Sequence, residues 1–199
     1  SREVIALAHK YPDQLKATIG THPVHATEDD SDQLESLFAD DTHIVGIGEC
    51  GLDYFERGEE GSVTQEDKKV QADVFRKQIE LSIKYKKPLM LHVRESYKET
   101  LDILKEYFSL GEVEYRGNAH FFVGTTEEAQ AFLDLGFSIS FTGVITFVKA
   151  YEDLVRFVPL DRMFAETDSP YVAPAPYRGK RNNPLYVIEI YKKIAEIKQ

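Results

Sequence analysis

Short, nearly unbroken apolar runs alternate along the chain with stretches in which apolar residues recur every three or four positions. The first pattern is that of strands covered on both faces. The second is that of amphipathic helices, and their alternation predicts β/α units around a parallel sheet. Six strands are expected, at Lys16–Gly20, Ile44–Glu49, Pro88–Val93, Gly117–Phe122, Phe137–Phe141 and Arg162–Asp168.

Helices are expected between them. Ser31 would cap one carrying Leu34, Leu37 and Phe38. Thr64 with Asp67 has the form of a capping box and opens a helix with Phe75, Ile79 and Ile83 on one stripe. Tyr97, Leu101, Leu104 and Phe108 mark the next helix. Ala129, Phe132 and Leu133 mark a shorter one stopped by Gly136. Leu154, Val155 and Val158 end before Pro159, and Asn183-Pro184 opens a last helix with Val187, Ile190, Tyr191 and Ile194. The Gly/Glu-rich stretch Arg57–Val63 reads as an exposed loop. With no repeat or linker, residues 1–199 read as one domain. Six strand–helix units are two short of an eight-strand barrel, which needs about 250 residues, and the chain opens inside an uncapped helix. The natural protein is therefore expected to extend upstream by roughly two strands.

Composition narrows the partners. A net charge of −10 argues against capture of nucleic acid by general electrostatics, although a local basic patch or bound cations can still handle phosphates. No apolar run approaches the roughly 20 residues of a membrane span. The single cysteine, Cys50, excludes an internal disulfide and suits a reducing compartment, so a cytoplasmic location is expected.

Residues able to bind metal stand at or just past the C-terminal ends of most predicted strands: His22, Glu49, His92, His120 and Asp168. In a parallel barrel those ends converge on the face where active sites form. A lone histidine at a strand end is more often hydrogen-bonded structure than ligand, and Asp168 could merely cap the turn at Ser169-Pro170. Glu49, His92, His120 and Asp168 on four separate strands are harder to explain that way. They supply donors for Zn²⁺, Mn²⁺ or Mg²⁺. Arg94, two residues beyond His92, shares its face and could meet a phosphate or a carboxylate. Arg178, Lys180 and Arg181 form the densest basic cluster, either a solvated loop or a lip for a phosphate backbone. His9 and His43 read as surface residues.

These motifs resemble the TatD family of metal-dependent deoxyribonucleases. The likeness lies in Gly20-Thr21-His22-Pro23, Gly48-Glu49-Cys50-Gly51-Leu52-Asp53-Tyr54, Leu91-His92-Val93-Arg94, Thr142-Gly143-Val144-Ile145, Glu166-Thr167-Asp168-Ser169-Pro170-Tyr171 and Arg178-Gly179-Lys180-Arg181-Asn182-Asn183-Pro184. It implies a TIM-type (β/α)8 barrel, here without its first two strand–helix units and its last helix, with one or two divalent ions at the mouth. Glu49 would bridge two metals, His92 and His120 would ligate one, and Asp168 would bind the other and orient the attacking water, making Glu49 and Asp168 the catalytic pair. His22, Arg94, Arg178, Lys180 and Arg181 would contact substrate. The chain departs from the family at Phe121-Phe122-Val123-Gly124, where Cys-Phe-Ser-Gly is frequent, and at Asn182-Asn183-Pro184, where Asn-Glu-Pro is usual. The first-strand His-x-His pair of many members has no counterpart. The expected activity is hydrolysis of DNA phosphodiester bonds in the manner of a 3'-5' exonuclease, acting on single strands or ends without an obligate protein partner. A metal-dependent deacylase acting on aminoacyl-tRNA and a non-catalytic binding scaffold are the alternatives.

Overall fold

The computed structural model describes residues 2–28, 31–38, 41–56, 62–108 and 116–199. The chain divides into two units, Ser1–Asn118 and Ala119–Gln199, each described by itself. Among the described residues, no helix is long and apolar enough to cross a membrane.

In the first unit the order is α1 (Arg2–Lys10), β1 (Ala17–Ile19), a 3-10 segment Pro23–Glu28, α2 (Ser31–Phe38), β2 (Ile44–Asp53), α3 (Gln65–Tyr85), β3 (Leu89–Arg94) and α4 (Tyr97–Tyr107), leading into β4 (Gly117–Ala119). β1 pairs in parallel with β2, and β2 with β3. The expected parallel α/β pattern is thus present. Ile47, Leu52, Leu89 and Leu91 of the strands and Phe75 and Ile79 of α3 are buried together in its core. The Thr64 capping box forms: the Thr64 amide donates to Asp67 at 2.9 Å, and the Asp67 amide to the Thr64 hydroxyl at 3.1 Å. It occupies two of the amides that an α-helix start leaves without an internal partner. Ile83 departs from expectation: it is half exposed, so the buried stripe ends at Ile79 and Ser82 instead. Of the loop expected at Arg57–Val63, residues 57–61 lie outside the described residues, as does the side chain of Ser31.

The second unit carries α5 (Thr126–Asp134), β5 (Phe137–Phe141), α6 (Glu152–Phe157), β6 (Met163–Ala165) and α7 (Val187–Lys198). β5 pairs in parallel with β6. Phe132 stands edge-on to Phe122 and Phe137, at centroid distances of 5.9 and 6.1 Å. Such edge-to-face contacts add to the stabilisation already given by burying three large rings. Besides β1, which covers only Ala17–Ile19 of the expected Lys16–Gly20, two strands are shorter than expected. β4 stops at Ala119 because Phe121 takes a positive φ of 46°, which leaves the strand region of backbone space. β6 covers Met163–Ala165, with a 3-10 turn at Leu160–Arg162 before it, and its Phe164 is half exposed. The polar residues Glu166 and Asp168 therefore belong to a loop, not to a ladder.

Candidate metal centre

Strand register creates the site in the first unit. His92 pairs with Gly51 across the β2–β3 ladder. Glu49 and Asp53 lie two residues to either side of Gly51, and alternation along a strand places residues two apart on one face. His92 therefore meets a carboxylate on each side. Its Nδ1 is 3.6 Å from Glu49 Oε2, and its Nε2 is 3.1 Å from Asp53 Oδ2. The close approach depends on glycine: a Cβ on Gly51 would stand 2.1 Å from the His92 carbonyl oxygen, and the φ of +133° is one that other residues rarely adopt.

His22 comes from the other side, at 4.3 Å between ring centroids from His92, with Nε2 3.7 Å from Glu49 Oε2. His22, Glu49 and His92 each offer a donor atom within 4.8 Å of the others. Two buried glutamines of α3 hold the backbone that carries them. Gln78 accepts from the Thr21 amide at 2.8 Å and donates to the Thr21 carbonyl at 3.0 Å, next to His22. Gln71, two turns earlier, does the same for both backbone groups of Asp53, at 2.9 and 3.0 Å.

Protonation distinguishes the two rings. Burial and the neighbouring His92 push His22 down to about 4, so it is neutral at pH 7. The Val24 amide donates to its Nδ1 at 3.2 Å, which places the remaining proton on Nε2, facing Glu49. His22 in this orientation is a hydrogen-bond donor. Burial also opposes charge on His92, but the Asp53 and Glu49 carboxylates outweigh it and raise its pKa above the ordinary value. When His92 does lose a proton, Asp53 keeps the other on Nε2 and leaves the lone pair on Nδ1, toward Glu49. Cys50, buried beside them, is a poor nucleophile: burial and then the charge of Glu49 push its thiol up.

The second unit repeats this device. The Nδ1 of buried His120 is 2.8 Å from Glu166 Oε2. Glu166 also accepts from the Phe121 amide at 2.7 Å and from the Ser140 hydroxyl. Burial alone would raise its pKa; His120, Ser140 and the Phe121 amide outweigh it and hold the carboxyl below the usual range. An ionised Glu166 keeps the His120 proton on Nδ1 and its lone pair on Nε2. Asp168 follows on a loop with a φ of 52°, a conformation that Asp tolerates better than most residues. Buried Asn182 ties that loop down by donating to the carbonyls of Thr167 at 2.5 Å and Tyr171 at 2.6 Å.

Among the expected substrate contacts, Arg94 is exposed with its guanidinium 3.5 Å from the centre of the Phe55 ring. Arg178 stacks on Phe147 at 3.9 Å, and Lys180 and Arg181 are exposed. A cleft of about 270 Å³ opens beside Asp53, bounded by Val24, Phe55, Val63, Val70 and Gln71.

Sequence reasoning passed over Asp53 and Glu166. The only signal for them was spacing: Asp53 stands two alternations from the expected ligand Glu49, and Glu166 one alternation from Asp168.

The sequence matches the model of TatD related DNases over residues 1–199. The chain belongs to the TatD family. A metal-dependent hydrolase of Buchnera aphidicola subsp. Baizongia pistaciae is 38% identical over 182 residues, covering 90% of this chain and 65% of the relative. The chain thus spans about two thirds of that relative's length. A 3'-5' ssDNA/RNA exonuclease TatD of Erwinia tasmaniensis is 31% identical over 204 residues, covering 98% of this chain and 75% of the relative. The crystal structure of YjjV, a TatD homologue of Escherichia coli, superposes with a TM-score of 0.86 at 26% identity, over 98% of this chain and 73% of that one. The likeness of fold to a TatD homologue therefore extends over nearly all of this TatD chain.

Proposed function

We propose that this protein hydrolyses phosphodiester bonds of nucleic acid, single-stranded DNA first, with the help of one or two divalent cations. Glu49 and His92 in the first unit, and His120 and Asp168 in the second, are the proposed ligands. The observation that carries the reading is the pairing of each imidazole with a carboxylate on one ring nitrogen, buried Asp53 for His92 and partly buried Glu166 for His120. Metal-binding histidines are oriented in this way, the partner fixing the tautomer and raising the basicity of the ligating nitrogen. An imidazole beside carboxylates, present in each unit, is a donor set that suits Zn²⁺ or Mn²⁺, and Mg²⁺ where the carboxylates dominate.

When bound, such an ion polarises a phosphoryl oxygen and makes water a stronger nucleophile near neutral pH. The chain's own residues supply the rest. Glu49 in the first unit and Asp168 in the second each bring charge that would retain a cation, and Asp168 would accept the proton that a water nucleophile gives up. Neutral His22 presents Nε2–H as a donor to an anionic substrate oxygen. Arg94, stacked on Phe55, offers its guanidinium edge to a phosphate. Phe55 and the Arg178–Phe147 stack give flat surfaces on which bases can rest. Lys180 and Arg181 attract the backbone despite the net charge of −10.

The test is turnover of end-labelled single-stranded DNA with and without chelator, beside an aminoacyl-tRNA as the competing substrate. Shortened DNA that depends on added Mg²⁺ or Mn²⁺ and on Glu49 supports the proposal. Release of the amino acid with intact DNA would move the activity from phosphorus to carbon. DNA cleavage by Glu49→Ala at the parent rate would sink it.

A further inference from the structure

A second group of donors occupies the opposite end of β2. Asp41 and His43 precede the strand, and His9 reaches them from the last turn of α1, 32 residues away from Asp41 in sequence. His9 Nε2 is 2.7 Å from Asp41 Oδ2, and His43 Nδ1 is 3.2 Å from Asp41 Oδ1. The two rings meet edge-on, 5.0 Å between centroids. One donor atom from each of the three residues lies within 4.8 Å of the others. His43 and Glu49 are six residues apart on an extended chain, so this group is roughly 20 Å from the Glu49–His92 pair.

We propose that His9, Asp41 and His43 form a second, structural zinc site that fastens α1 to the entry of β2. Two imidazole nitrogens and one carboxylate oxygen are the donors that Zn²⁺ prefers, and at bond lengths of about 2.0–2.1 Å they need draw together only slightly around an ion. The fourth position falls to water. Asp41 is already fixed for the task. It accepts from the His43 amide at 2.9 Å, an Asx-type turn that sets both the carboxylate and the following imidazole. That amide, with the contacts to His9 and His43, holds its carboxyl below the usual range, so it is a charged ligand at neutral pH.

The consequence is structural. α1 buries only Ala8, while Val4 and Leu7 are about half exposed. A surface ion pair between His9 and Asp41, open to water, does little to hold such a helix. A shared cation would replace it with a cross-link between segments distant in sequence, stabilising the folded chain in proportion to zinc occupancy. The site does not depend on the hydrolase reading.

The experiment measures zinc binding to the Glu49→Ala protein, by competition with a chromophoric chelator, alone and combined with His9→Ala or with His43→Asn. Removing one of three ligands costs more than the 10–100-fold lost with an outer-shell partner, so affinity should fall roughly 100-fold or more in each double variant. Zinc should also raise the melting temperature of the Glu49→Ala protein and leave that of the double variants unchanged. His9→Ala alone should keep parental hydrolysis, which separates this site from the one around Glu49. His9 is exposed and helical, so its replacement by alanine does not threaten folding. Equal zinc affinity with and without His9 and His43 would overturn the proposal, as would a Glu49→Ala protein that takes up no zinc. A parent and a Glu49→Ala protein with the same zinc content would count against the hydrolase reading only.

Discussion

The two ends of β2 use the same residue types to different effect. At its C-terminal end His92 lies between Glu49 and Asp53, and Asp53 is almost completely buried. At its N-terminal end His9 and His43 flank Asp41, with His9 half exposed. Burial makes the first arrangement specific: a carboxylate withdrawn from water must be paired, and its partner ring is held in one orientation. The second can exchange its ion pairs for water at little cost, so it gains rigidity only if something bridges it. The ends therefore differ in what removing a single residue does.

The largest expected effect is at the buried end. Glu49→Ala removes the carboxylate that faces both His92 and His22, and kcat/KM on single-stranded DNA should fall by about 10³-fold or more, with little change in melting temperature. Chelation of the parent should reproduce that loss, and added Mn²⁺ or Mg²⁺ should reverse chelation but not the substitution. Next is Gly51→Ala. The new Cβ would meet the His92 carbonyl oxygen at 2.1 Å, in a backbone conformation unsuited to alanine. A destabilisation of about 3 kcal/mol or more is expected in urea unfolding. An unchanged midpoint would show that the ladder between Gly51 and His92 is looser than described.

The comparison also shows what a sequence can disclose. Glu49, His92 and Asp168 stand out as candidates in the sequence because a charged or imidazole side chain at the end of an apolar run has no packing explanation. The six strands were legible for a related reason: runs covered on both faces leave continuous apolar stretches. Asp53 and Glu166 were not, because their role lies in contacts. Asp53 matters only once β2 and β3 are in register at Gly51 and His92. Glu166 matters only once the chain turns at Phe121, whose backbone amide it accepts. His9 and His43, read as surface residues, are partly that. Their meeting at Asp41 depends on where α1 comes to rest, which no local periodicity encodes.

A smaller effect belongs to the carboxylate partners of His92 and His120. Asp53→Asn keeps the shape but removes the charge that orients His92, and Glu166→Gln does the same for His120. Each should weaken divalent-metal affinity by about 10–100-fold and leave the fold intact. Asp41→Asn, at the exposed end, should leave metal-dependent DNA cleavage unchanged. A loss of cleavage there equal to that of Asp53→Asn would erase the distinction between the two ends.

The smallest effect is a pH dependence, and its sign follows from the two neighbouring rings. His92 has a pKa above the ordinary 6.5 without metal, so it is more than half protonated at pH 6.5 and must give up a proton to ligate. His22, at about 4, has none to give up in that range. Affinity should therefore rise by about tenfold per pH unit for the single proton of His92, and flatten above its raised pKa. The His120→Asn protein isolates this contribution, and His22→Gln in that background should leave the slope unchanged. Metal-free stability has opposite contributions from the two rings. That from His92 is fully present below pH 6.5 and is lost as pH rises through its raised value. That from His22 is present above 6.5 and is lost as pH falls toward about 4, because the unfolded chain takes up the proton first. Urea midpoints of His92→Gln and His22→Gln against pH should diverge from the parent on opposite sides of neutrality. Divergence on the same side would mean that the rings share one proton and that Asp53 does not set the tautomer of His92.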